Sequence, residues 1–118
     1  MKRVLIAEDN DSNYILMTYV LKNHYEFERA KTGKEAVELA LSGRFDAVLM
    51  DIKMPEMDGL EATKLIKEKM AELPVIALTA NAFDSDRQMA IDAGCEAFLT
   101  KPVSSQNCLA TIAKYVGE

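Results

Sequence analysis

Short apolar runs alternate with longer, partly polar stretches five times along this chain of 118 residues. The runs have the length of buried strands, and the stretches between them carry apolar residues at the spacing of a helix. Two parallel strands require a crossover long enough to hold a helix, so this order predicts one parallel sheet with helices on both faces. The predicted fold class is therefore α/β, built from five βα units.

Local signals place the boundaries of these units. Thr32 and Glu35 have the spacing of a capping box, in which a hydroxyl and a carboxylate satisfy backbone N–H groups at a helix start. Residues 25–30 alternate in the manner of an edge strand, and on the first helix Leu16, Tyr19 and Val20 share a face. The predicted strands are residues 2–7, 25–30, 46–50, 75–78 and 96–99, and the predicted helices begin near residues 11, 33, 58, 83 and 104.

The composition argues against several classes of function. A net charge of -5 and a pI near 4.9 disfavour direct binding to nucleic acid, which depends on lysine and arginine. No apolar run reaches the roughly 20 residues that span a bilayer, and no signal peptide precedes the first strand, so the expected location is the cytoplasm. Cys95, Cys108 and His24 lack metal-ligand spacing and are interpreted as structural. A chain of this length is expected to form one domain over residues 1–118.

Polar, reactive side chains follow four of the five predicted strands. Glu8 and Asp9 follow the first, Asp51 the third, Thr79 the fourth, and Lys101 the fifth. In an open parallel sheet, ligands bind outside the carboxyl ends of the strands, where these side chains would meet. The sequence therefore predicts one shared site.

The residue types at that site indicate phosphoryl chemistry. Three neighbouring carboxylates repel one another unless a cation joins them, and Mg²⁺ prefers such oxygen ligands. An aspartate can be a covalent nucleophile toward phosphorus, so Asp51 is the candidate acceptor, with Glu8 and Asp9 holding the metal. Lys101 would neutralise charge on the transferred group, and the Thr79 hydroxyl would donate a hydrogen bond to it.

Other interpretations of the same residues are weaker but remain open. Taken singly, an aspartate after a strand is more often a turn former or a helix cap. An FMN-binding module needs a phosphate-cradling loop after its first strand, where this chain has Glu8 and Asp9. A phosphatase that works through an aspartyl phosphate would place an acid at Lys53. An interaction module of the same shape that is never phosphorylated is the main alternative function.

With these residues in place, the chain resembles the receiver domain of two-component response regulators. The resemblance rests on the acidic pair Glu8 and Asp9, on Asp51 with the segment 52–59, on Thr79, and on Lys101 with Pro102. It spans the whole chain and implies a flavodoxin-like sheet with the strand order 2-1-3-4-5. Residues 9–13 and 78–82 resemble receivers of hybrid sensor kinases in particular.

The resemblance also implies a phosphorylation switch rather than a metabolic enzyme. In such a switch Asp51 takes a phosphoryl group from a histidine kinase or a histidine phosphotransfer protein. The implied Mg²⁺ ligands are the carboxylates of Glu8, Asp9 and Asp51 and the backbone carbonyl of Lys53. Thr79 and Phe98 are then the switch residues.

The remaining implications concern the output surface and the lifetime of the phosphoryl group. The surface of the fourth helix, fifth strand and fifth helix would respond to phosphorylation and contact a downstream output protein or domain. Its candidate residues are Arg87, Gln88, Ile91 and Phe98. Lys53 and Asn81 occupy positions that influence hydrolysis, and the peptide bond between Lys101 and Pro102 is expected to be cis.

Overall fold

The computed structural model describes residues 1–54, 56–80 and 84–117, with the side chains of Asp84 and Ser85 left aside. In these ranges five strands form a single parallel sheet with the order β2-β1-β3-β4-β5, as predicted. The strands are β1 (Arg3–Ala7), β2 (Glu26–Ala30), β3 (Ala47–Asp51), β4 (Val75–Thr79) and β5 (Ala97–Thr100). The helices are α1 (Asp11–Leu21), α2 (Gly33–Ala40), α3 (Gly59–Lys69), α4 (Asp84–Ala93) and α5 (Ser105–Val116). The predicted flavodoxin-like α/β fold is confirmed.

The core consists of two apolar layers, one on each face of the sheet. Neighbouring residues of a strand point to opposite faces, so Val48 joins one layer and Leu49 the other. Every residue of β3 and β4 is buried, as expected for central strands covered on both faces. At the edge, β2 leaves Glu26 exposed, which agrees with the alternation in its sequence.

The helix starts show why these segments fold as they do. The side chain of Thr32 accepts a hydrogen bond from the backbone N–H of Glu35, at 3.0 Å. The Glu35 carboxylate in turn accepts from the N–H of Lys31, at 3.2 Å, one residue earlier than in a standard capping box. Asp58 caps α3 in the same way, through the N–H of Glu61 at 2.9 Å. Each such cap contributes about 1 kcal/mol to stability.

The buried face of α1 differs from the one that the spacing suggested. Met17 and Leu21 are buried against the sheet, whereas Leu16 and Tyr19 are 59% and 65% exposed. Most side chains between Tyr14 and Leu21 are apolar, so their spacing fits more than one face of the helix. An apolar surface is therefore left open on this helix.

The first residues of α2 and α3, Gly33 and Gly59, pack directly against the backbone at the end of β3 and just after it. A Cβ atom on Gly59 would lie 2.1 Å from the carbonyl oxygen of Asp51. One on Gly33 would lie 1.9 Å from the carbonyl oxygen of Met57. Because real Cβ atoms essentially never come within 3.0 Å of such atoms, only glycine permits these contacts. The starts of α2 and α3 thus brace the segment that follows Asp51.

Lys67 joins α3, β4 and β5 at the end of the sheet where the strands begin. Its ammonium donates hydrogen bonds to the carbonyl oxygens of Ala71 and Leu73, at 2.9 and 2.8 Å. It also contacts the Glu96 carboxylate at 2.6 Å, and that carboxylate accepts from the backbone N–H of Val75 at 2.8 Å. The amino ends of β4 and β5 are therefore fastened to α3. Of the helices within the described ranges, none has the length and apolar character needed to cross a membrane.

Candidate functional site

Four strands deliver polar side chains to one edge of the sheet. Asp51 and Thr79 are the last residues of β3 and β4, and Glu8 directly follows β1. Lys101 follows β5, and its backbone N–H donates a 2.7 Å hydrogen bond to the carbonyl of Thr79. The Lys101 ammonium lies 2.8 Å from Glu8 Oε1 and 3.1 Å from Asp51 Oδ2. The sequence predicted that these strands end one residue before Asp51 and Thr79. In the structure both residues belong to their strands, because a polar side chain does not interrupt backbone pairing.

Three carboxylates converge at this edge. Glu8, Asp9 and Asp51 each present an oxygen, and these oxygens lie within 4.8 Å of one another. Glu8 and Asp51 are buried and Asp9 is exposed, so the cluster opens to solvent on one side. Backbone N–H groups of Asn10 and Lys53 donate to Glu8 Oε2 and Asp51 Oδ1, each at 3.3 Å. This all-oxygen set fits a hard divalent cation.

The charges in the cluster are strongly coupled. Burial raises the pKa of Glu8 from 4.5 to about 7, and the neighbouring Asp51 carboxylate adds to the rise while Lys101 opposes it. Burial alone would lower the pKa of Lys101, but its contacts with Glu8 and Asp51 raise the pKa above 10.5. One ammonium thus offsets only part of the carboxylate charge, which favours binding of a further cation.

Glu8 in the metal-free protein is expected to titrate near pH 7. The pKa of Glu8 in the folded protein exceeds its ordinary value of 4.5, so protonated Glu8 stabilises the folded state. This contribution to the free energy of unfolding is complete below pH 4.5 and is lost as pH rises through about 7. Carboxyl-carbon NMR titration measures the midpoint, and Glu8→Gln, as a control, removes the step. In Lys101→Met the midpoint should rise further, since the ammonium that lowers it is gone. A wild-type midpoint close to 4.5 would contradict this description of the cluster.

A cavity of about 160 Å³ lies beside Asp51. It gives room for a small group attached to the Asp51 carboxylate, next to Thr79 and Lys101. Sequence reasoning missed one charged residue of its wall, Asp86, because nothing in the sequence shows which way the start of α4 faces. The cavity is lined by Asp51, Ile52, Lys53, Leu78, Thr79, Ala80, Asp86 and Lys101.

Phe98 lies in β5, outside the lining of the Asp51 cavity. It is half-buried against the core layer on the α2 side of the sheet, and the Arg87 guanidinium lies 5.1 Å from the centre of its ring. Arg87, Gln88 and Ile91 are exposed on α4, so these predicted output residues are accessible, and Arg87 contacts Phe98. Asn81 lies outside the described residues.

A family model of the response regulator receiver domain matches residues 4–113. The chain belongs to this family. It is a receiver domain of two-component signalling, as the sequence predicted, and nothing favours the alternative of a module without phosphorylation. The peptide bond between Lys101 and Pro102 is cis, as expected for such a domain.

Relatives of this receiver domain include both regulators and kinase domains. The polar-differentiation response regulator DivK of Brucella anthropi is 41% identical over an alignment of 120 positions, which covers 99% of this chain and 98% of the relative. A receiver domain of a Pseudomonas aeruginosa sensor histidine kinase is 32% identical, with a TM-score of 0.92 and coverage of 99% and 98%. That crystal structure has a magnesium ion coordinated in its active-site cleft.

A third similar structure shows a receiver domain with a partner. The receiver domain of Ssk1 from Saccharomyces cerevisiae was solved together with the histidine phosphotransfer protein Ypd1. It is 29% identical to this receiver domain, with a TM-score of 0.92, and the match covers 98% of this chain and 89% of that one. Since similar proteins include both a regulator and a kinase receiver, the resemblance to hybrid kinases stays a prediction.

Proposed function

We propose that Asp51 accepts a phosphoryl group from a phosphohistidine and that this chain, residues 1–118, works as one receiver domain. The observation that carries the proposal is the setting of the Asp51 carboxylate. It is buried at the end of β3, beside an open cavity, with the Lys101 ammonium at 3.1 Å. A carboxylate held in this way is positioned to attack a group that enters the cavity.

The chain's own residues account for the steps of the transfer. A carboxylate oxygen of Asp51 forms a bond to phosphorus while the bond from phosphorus to the donor imidazole nitrogen breaks, and the imidazole leaves with its electron pair. Lys101 stabilises negative charge on the phosphoryl oxygens, and the Thr79 hydroxyl donates a hydrogen bond to one of them. The domain catalyses at most its own phosphorylation and dephosphorylation.

The carboxylates of Glu8, Asp9 and Asp51, together with the carbonyl of Lys53, would hold Mg²⁺. The support is the chemistry of the donor set, which consists of oxygens within 4.8 Å of one another on the three carboxylates. When bound, Mg²⁺ neutralises charge on the phosphoryl oxygens and keeps the carboxylates ionised. Glu8 must give up its proton for this, so binding is expected to weaken below about pH 7.

Phosphorylation is read out through Thr79 and Phe98. Thr79 moves toward the phosphoryl group, and Phe98 turns into the space that Thr79 leaves. The two residues lie on paired strands, with Ala77 opposite Phe98 and Thr79 opposite Thr100. The surface of α4, β5 and α5 changes as the population shifts between the two conformers. A downstream output protein or domain would bind there.

Intact-mass measurement tests the proposed function directly. The protein is incubated with acetyl phosphate, with and without Mg²⁺, and is expected to gain the mass of one phosphoryl group only when Mg²⁺ is present. The product should be labile in base, as an acyl phosphate is. Failure of the wild type to gain this mass in the presence of Mg²⁺ would contradict the proposal.

The donor protein is expected to dock on α1. A groove of about 320 Å³ runs along this helix and includes both Leu16 and Tyr19 and the site residues Glu8 and Lys101. Leu16 and Tyr19 are mostly exposed, so the groove has an apolar wall that ends at the acceptor site. A phosphohistidine must reach Asp51 across this edge, and a histidine kinase or phosphotransfer protein with an apolar docking surface would fit.

Leu16→Glu is expected to slow phosphotransfer from a histidine phosphotransfer protein about tenfold or more, because it places a charge in an apolar contact. The rate with acetyl phosphate should not change, since that donor needs no docking surface. Ile91→Glu is the matched control, since Ile91 is an apolar residue of similar exposure on α4. Radiolabel transfer from the phosphorylated partner measures the rates. Equal slowing by both variants would count against docking on α1.

The cytoplasmic location predicted from the sequence stays a prediction. The phosphohistidine donor and this receiver domain must share a compartment.

A further inference from the structure

Asp86 is a carboxylate in the wall of the acceptor cavity to which the transfer chemistry assigns no task. It lies in the first turn of α4 and lines the same cavity as Asp51. It is half-buried, and no residue in the described ranges makes a hydrogen bond or an ion pair with its side chain. Glu8 and Asp51, in contrast, are both engaged with Lys101. Asp86 can therefore accept a hydrogen bond from a molecule in the cavity.

Hydrolysis of an aspartyl phosphate makes a specific demand on this cavity. The attacking water must approach phosphorus from the side opposite the bond to Asp51. Asp51 is buried and lines the cavity, so a phosphoryl group bound to it would extend into the cavity, where the water must also lie. A group that orients this water and takes its proton must therefore line the cavity.

We propose that Asp86 is the general base for hydrolysis of the phosphoryl group on Asp51 and so sets the lifetime of that group. The inference rests on the proposed function of Asp51. The water oxygen bonds to phosphorus as the bond from phosphorus to the Asp51 oxygen breaks. A water proton passes to the Asp86 carboxylate, Asp51 leaves as a carboxylate, and inorganic phosphate is released. Asp86 then returns its proton to solvent.

The other side chains of the cavity wall are poor candidates for this task. Lys53 and Lys101 are cations, and Thr79 is assigned as a donor to the phosphoryl oxygens. Ile52, Leu78 and Ala80 have no side chain that accepts a proton. Among the described residues of the wall, Asp86 is thus the one carboxylate apart from the acceptor itself.

The lifetime of the phosphoryl group tests the assignment. Wild type, Asp86→Asn and Asp86→Ala are phosphorylated with acetyl phosphate and Mg²⁺, the donor is removed by rapid desalting, and the decay is followed by intact mass. Both variants are expected to lengthen the half-life by about tenfold or more, since loss of a general base typically costs at least that much. Their rate of phosphorylation should stay close to that of the wild type. A residue that only supports the fold would slow both reactions.

Asp92→Asn provides the charge-matched control. Asp92 lies on the same helix, is exposed, and accepts a hydrogen bond from Gln88 at 2.8 Å. An unchanged or shorter half-life in the Asp86 variants, or equal lengthening in Asp92→Asn, would overturn the assignment of Asp86. Absence of any phosphoryl uptake by the wild type would instead contradict the proposed function, and this inference with it.

Discussion

Asp51→Asn is expected to fold normally and to take up no phosphoryl group from acetyl phosphate or from a phosphohistidine partner. The amide has nearly the shape of the carboxylate but is not a nucleophile at neutral pH. The substitution also removes a negative charge next to buried Glu8, whose pKa Asp51 helps to raise. The ion pair of Asp51 with Lys101 is lost, but Lys101 keeps its contact with Glu8. The metal-free variant should therefore stay close to the wild type in stability, so lost uptake cannot be ascribed to unfolding.

The matched control is Asp58→Asn. It makes the same chemical change seven positions further along the chain, at the cap of α3, where the side chain accepts from the N–H of Glu61. Asparagine caps a helix about as well as aspartate, so stability should hold. Intact mass after incubation with Mg²⁺ and donor should show one added phosphoryl group in this control and none in Asp51→Asn. Equal uptake by both variants would remove Asp51 as the acceptor.

Gly59→Ala is expected to cost about 3 kcal/mol of stability and to weaken the acceptor site at the same time. The new Cβ would lie 2.1 Å from the carbonyl oxygen of Asp51 and 2.9 Å from Cα of Ile52. Backbone atoms cannot rotate away as a side chain can. The Gly59 N–H also donates a 2.7 Å hydrogen bond to the Ile52 carbonyl, which ties the start of α3 to this segment. Relief of the clash must therefore shift the main chain of Asp51 or move the start of α3 away from it.

Gly43→Ala separates this steric effect from the general effect of removing a glycine. Gly43 has a φ of +80°, and nothing lies within 4 Å of a Cβ built there. Its replacement should cost only about 1 kcal/mol, from the left-handed backbone alone, and leave Mg²⁺ affinity unchanged. Urea unfolding and Mg²⁺ titration of both variants measure the two effects. Equal losses of stability, or unaltered Mg²⁺ affinity in Gly59→Ala, would contradict the explanation.

The sheet and the residues at its edge could be predicted because they depend on chain order. Four apolar runs are each followed by a polar residue, and parallel strands all end at the same side of a sheet. Glu8, Asp51, Thr79 and Lys101 were therefore expected to lie together. The rotation of a helix about its axis is a different problem. Nearly uniform apolar character around α1 left the exposure of Leu16 unpredicted, and the orientation of Asp86 depends on how α4 packs against its neighbours.

The three acceptors of the Lys67 ammonium bear on how a signal can travel. They fix the beginnings of β4 and β5, whereas Thr79 and Lys101 stand at the other ends of these strands. We therefore expect a displacement that begins at Thr79 or Lys101 to be larger at the carboxyl ends of these strands than at the amino ends that Lys67 holds.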